Sequence, residues 1–229
     1  MGTVRRVRLP VSWRMLLDGE SASRNWGEGG RVTWLCLCLS YLFITWSDEV
    51  FANDAGRVHE AHCLTRADVA LFAGETQLGF SHYRRADRVE MRFRGHKADQ
   101  EQKGNVRVRT RDEVAGPQSG VRVRGGAVAL VVELLSCHAT LPDSAPLASY
   151  RSGRAVRVVR YSAALRAVRE VVEKSGRNPQ EYALHSLRIG GATALASGGD
   201  IAERVIQREG KWRSDAYKPY ARNNVEDSR

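Results

Sequence analysis

No stretch of this sequence is apolar for long enough to cross a membrane. The longest such run, Val32 to Trp46, falls short of the roughly eighteen residues that a spanning helix needs. It reads instead as a buried helix. The basic N-terminus MGTVRRVRLPVSW has no apolar run of signal-peptide type beside it, so export is not expected. An intracellular setting, nuclear in a eukaryote, is therefore expected. The 4 cysteines, Cys36, Cys38, Cys63 and Cys137, are then expected as reduced thiols packed in the core. No metal or cofactor site emerges from the usual patterns. Cys36 and Cys38 fall about 200° apart around a helix and cannot readily share an ion. His59 and His62 in HEAHC are three apart, where a zinc-protease helix needs four. The glycines of GEGG at Gly27 to Gly30 match neither a P-loop nor a dinucleotide fingerprint. Repeats and low-complexity tracts are lacking too, so one globular domain is the simplest reading.

What the sequence has in excess is positive charge. Its 36 Lys and Arg face 26 Asp and Glu, a formal net charge of +10. Most of that excess is arginine, whose planar fork suits phosphates, so double-stranded DNA or another nucleic acid is the expected partner, ahead of an anionic membrane surface.

Residues 1–10 read as a basic arm and residues 11–229 as one domain. Val11 to Glu20 forms a first short helix, and the long apolar helix begins near Arg31. Three strands follow, at Asp68 to Phe72, Arg88 to Arg94 and Asn105 to Arg111. In the second, Val89, Met91 and Phe93 alternate with charged residues; in the third, Val106 and Val108 alternate with arginines. This predicts an α+β fold, predominantly helical, with a small three-stranded antiparallel sheet. Its basic outer face would hold Arg92, Arg94, Arg107 and Arg109 as DNA contacts. Helices are expected again from Ala127 to Leu135, from near Val158 to Lys174, from Ala183 to about Ser197 and from Asp200 to Arg208.

Chemistry concentrates near the C-terminus. In HSLRIGGATALASGG, His185 and Arg188 lie three apart and share a helical face. EGKWRSDAYKPYARNN follows, bringing Gly210, Trp212, Tyr217 and Tyr220. Together these segments closely resemble the tyrosine recombinase (phage integrase) superfamily, with its His-x-x-Arg, a later Gly before His or Trp, and a nucleophilic Tyr. The wording of HSLRIGGAT and GKWRSDAYKPY is similar to DIRS-like and Crypton-like mobile-element recombinases. The resemblance implies a catalytic domain without the separate N-terminal core-binding domain. It implies site-specific recombination through a 3′-phosphotyrosine link, with no cofactor, by copies assembled on DNA. Tyr220 would be the nucleophile, Arg188 the phosphate clamp and His185 the general base. Lys97, in RGHKADQ, would protonate the leaving oxygen, and Trp212 would donate its indole N–H to phosphate. Spacing leaves two alternatives: Lys211 fits the family's distance to the Tyr better than Trp212 does, and Tyr217 competes with Tyr220.

One position departs from the family. Around SYLFITWSDEV, where similar proteins place their first catalytic arginine, this sequence carries Trp46. A single indole N–H cannot replace a charged fork, so weak strand transfer is expected, with Trp46→Arg raising it. Two rival readings follow: an inactive DNA-binding remnant, or a basic nucleic-acid-binding module without catalysis. All three share one consequence. Affinity for duplex DNA should fall steeply and log-linearly as salt releases counterions, measured by fluorescence anisotropy across a salt series; a flat dependence would exclude phosphate contacts as the source of binding.

Overall fold

The apolar run does become a helix with no polar face. In the computed structural model, which describes residues 8–95, 104–111, 126–197, 203–212 and 218, α2 (Gly30–Leu42) is buried from Val32 to Tyr41. Such a helix can only be central. α1 (Trp13–Ser23), α3 (Gly126–Cys137), α4 (Tyr161–Lys174) and α5 (His185–Ala196) pack against it, and α6 (Glu203–Gly210) packs against α5. Ser12 caps α1 by accepting the Met15 N–H at 3.3 Å, and Trp34 donates its indole N–H to the Leu16 carbonyl at 2.7 Å. Thus α1 starts two residues later than its pattern suggests, and the Asp200 helix start lies outside the described residues.

The sheet has four strands among the described residues, one more than expected. β1 (Val69–Ala73), β2 (Thr76–Gln77), β3 (Arg88–Phe93) and β4 (Asn105–Thr110) are antiparallel, in the order β2-β1-β3-β4. The added β2 is a two-residue strand folded back after Gly74, whose φ of 56° a glycine adopts at little cost. A second hairpin, β5 (Ser149–Ser152) and β6 (Ala155–Val158), turns at Gly153 and was not expected at all.

The expected basic outer face is inverted at β4. Register decides this: Met91 pairs with Arg107 and Val89 with Arg109, so the arginines share the face on which β3 buries Val89, Met91 and Phe93. Arg107 is 2% exposed, while Val106 and Val108 stand outward at 51% and 40%. The thiol expectation also needs one correction, since Cys137, the last residue of α3, is exposed. The neighbouring His138 takes the inward position, its Nε2 2.8 Å from the Ser149 carbonyl oxygen.

Two glycines let α5 approach its neighbours. A Cβ on Gly190 would collide with the Val11 carbonyl oxygen, and one on Gly191 with that of Tyr41. Neither backbone can yield cheaply, because Val11 donates its N–H to Ser186 O at 3.0 Å and Tyr41 lies within α2. Gly190→Ala and Gly191→Ala should each destabilise by about 1–3 kcal/mol or more in urea unfolding. Gly79→Ala, where a Cβ meets nothing within 4 Å, should stay close to wild type.

Candidate active site

Three chain segments meet at the N-terminal half of α5. The first is the turn after α2, where Ile44 adopts the left-handed φ of 50° and Trp46 then leads into a 3-10 turn at Ser47–Glu49. The second is α5 itself, presenting His185 and Arg188. The third is the end of α6, where Lys211 has a φ of 54°. A Cβ on Gly210 would occupy the space of the Trp212 ring, which gives the Gly-x-Trp spacing a steric reason.

Arg188 lies at the centre, 1% exposed. Its Nη1 donates to Ile44 O at 2.6 Å and its Nη2 donates to Gly210 O. Its guanidinium carbon sits 4.1 Å from the centre of the Trp46 ring and 4.4 Å from that of Trp212. Trp46 also stacks on His185, with ring centres 5.9 Å apart at 28°. One indole thus carries both site residues of α5. Burial, and then the Arg188 charge, hold the His185 imidazole below its ordinary pKa. It is neutral near pH 7 and able to accept a proton.

Beneath this pair lies a buried electrostatic cluster. Glu49, 1% exposed, accepts from the Trp46 backbone N–H at 2.8 Å and pairs with the Lys211 ammonium. Burial pushes the Lys211 pKa down to about 8, with the charges of Arg107 and Arg188 helping and Glu49 opposing. Lys211 can therefore give or take a proton near neutrality. Arg109 bonds Leu42 O at 3.0 Å and Glu209 at 2.7 Å. Arg107 lies over the Phe93 ring at 4.2 Å, and burial pushes its pKa down to about 10.

The structure therefore brings together His185, Arg188, Trp212 and Trp46. Lys97, Tyr217 and Tyr220 lie outside the described residues. Among the arginines expected to touch DNA, Arg92 is exposed. Arg94 bonds Asp68 at 2.9 Å and Thr65 at 2.8 Å, and Arg107 and Arg109 belong to the interior. Glu49 and the part played by Lys211 escaped the sequence reading. The signal for both was present, in the acidic residue three after Trp46 and in the better spacing of Lys211 to Tyr220.

No family model matches the sequence, and no curated protein matches it. Among solved structures, the chain is similar to the XerH site-specific recombinase bound to difH substrate in a pre-cleavage complex. There the TM-score is 0.59 at 12% identity, covering 98% of this chain and 53% of that one. It is also similar to XerH bound to palindromic difH in a post-cleavage complex, with a TM-score of 0.57 at 13% identity, covering 93% of this chain and 49% of that one. The chain spans about half the length of these proteins and shares their fold.

The His185 environment can be tested by its titration. Because the folded-state pKa is depressed, stability tied to the neutral ring holds above the ordinary 6.5 and is lost as pH falls through the lowered value. Imidazole resonances followed by NMR should titrate with a midpoint below 6.5 in wild type and move back towards it in Trp46→Ala, where water reaches the ring. A wild-type midpoint at or above 6.5 would contradict the buried stack.

Proposed function

We propose that this protein breaks and rejoins duplex DNA, with Tyr220 attacking a phosphodiester to form a 3′-phosphotyrosine link and release a 5′-hydroxyl. The observation that carries this reading is the convergence of His185 and Arg188 from α5 with Trp212 from the end of α6 around one centre. The shared fold with a site-specific recombinase, whose solved complexes hold DNA before and after cleavage, supports it.

The chemistry follows from the groups present. Phosphoryl transfer at a diester is mainly positioning and charge stabilisation, and the bond energy kept in the phosphotyrosine lets the strand rejoin without a nucleotide cofactor. Neutral His185 takes the tyrosyl proton as the Tyr220 oxygen bonds phosphorus. Arg188 then stabilises the equatorial oxygens, exchanging the Ile44 and Gly210 carbonyls for phosphate. A lysine, Lys97 or the low-pKa Lys211, protonates the departing 5′-oxygen as its bond to phosphorus breaks. Arg92 and Arg94 contact the DNA backbone, copies assemble on the duplex, and the motif wording points to a mobile-element origin.

A second reading has its own observation. Arg188 is held by protein carbonyls and two rings, with Trp46 where similar proteins carry an arginine. On that reading the chain binds DNA without cutting it.

A nicked duplex that traps covalent protein separates the two. Wild type should form an adduct stable to detergent, Tyr220→Phe none, and Arg188→Ala about 10²–10³-fold less. An adduct surviving Tyr220→Phe would move the nucleophile to Tyr217. Duplex binding with no wild-type adduct would establish the non-cutting reading.

A further inference from the structure

Position 46 offers no cation, yet a second guanidinium lies in the same buried centre. Arg107 projects from β4 onto the face that β3 fills with Met91 and Phe93, and it is 2% exposed. None of its three guanidinium nitrogens has a hydrogen-bond partner among the described residues. It shares the Phe93 ring with Lys211, 4.2 Å and 4.3 Å from the ring centre respectively. Lys211 in turn feels the charges of both Arg107 and Arg188. Among the described residues, one electrostatic cluster therefore joins Arg107, Arg109, Arg188 and Lys211 to Glu49 and Glu209.

A buried cation without acceptors is among the most costly features a protein interior holds. The acceptors that Arg107 lacks have one remedy, an anion with several oxygens. We propose that Arg107 is an anion-binding residue of this centre, supplying to a DNA phosphate the second guanidinium that Trp46 withholds. The inference rests on the strand-transfer reading for its substrate and on the geometry of the cluster for its site. Phosphate reaches Arg107 only when a neighbour gives way. The Lys211 corner is the neighbour best suited to do so, being a left-handed non-glycine turn that shares Arg107's aromatic support. Trp46→Arg then brings no gain, because it would set a second cation against Arg188, whose guanidinium carbon now rests 4.1 Å from the centre of the Trp46 ring.

Thermal unfolding of the full chain in inorganic phosphate, against chloride at matched ionic strength, tests the site without catalysis. Wild type should melt higher in phosphate. Arg107→Met, which keeps the bulk and removes the unpaired charge, should melt above wild type in chloride and gain nothing from phosphate. Arg107→Lys should keep part of the gain, and Arg157→Met, at an exposed position of β6, all of it. A phosphate gain equal in wild type and Arg107→Met, or absent from wild type, overturns the inference. So does an Arg107→Met protein that melts below wild type in chloride, which would make the arginine structural. On the nicked duplex, Arg107→Met should lose about 10²–10³-fold in adduct formation. Undiminished capture by Arg107→Met, or a gain from Trp46→Arg, rejects Arg107 while leaving strand transfer standing. An Arg107-dependent phosphate gain with no wild-type adduct keeps the anion site and rejects strand transfer.

Discussion

The burial of the Arg188 charge is the constraint around which the other parts are arranged. A guanidinium out of water must find acceptors and polarisable surfaces, and here two segments each supply a backbone carbonyl and an indole face. The carbonyls are not offered by regular structure. Ile44 is itself left-handed, and Gly210 immediately precedes left-handed Lys211, the two non-glycine residues with positive φ among those described. Strain in the turns is thus concentrated where the chain bends to meet one side chain, which is where a functional centre commonly holds it.

The same charge organises the end of α6. That short helix reaches the body through Glu209 to Arg109, Gly210 O to Arg188 and Lys211 to Glu49, each a polar link into the buried cluster. The segment that leads on to Tyr220 is therefore anchored electrostatically as well as by the inward Ile206. A phosphate entering the cluster would compete for the same cations, so occupancy of the site and the seating of α6 are linked by charge.

Much of this was legible from residue patterns. The apolar run announced a central helix, the His-x-x-Arg spacing put two site residues on one face, and the period-two alternation located β3 and β4. Alternation alone, however, divides a strand into two faces without saying which is buried. For Val-Arg-Val-Arg, hydrophobicity favoured the valines, whereas pairing with Val89 and Met91 turned the arginines inward. The hairpin of β5 and β6 was missed because SYRS and AVRV are too short to show a period and follow a Pro-rich loop. Trp46 was identified as a departure, but its double contact with His185 and Arg188 is tertiary and has no signature along the chain.

The inverted strand also determines where the sheet stops. Among the described residues β4 is its outermost member, and an outermost strand is the kind of border at which another chain can add itself and begin a fibril. Any newcomer would have to lay its own side chains beside Arg107 and Arg109, two cations already short of water. That makes growth from this border unfavourable even though Val106 and Val108 stand exposed on its other side. The arginines that serve the interior would thereby also weigh against pairing along this border.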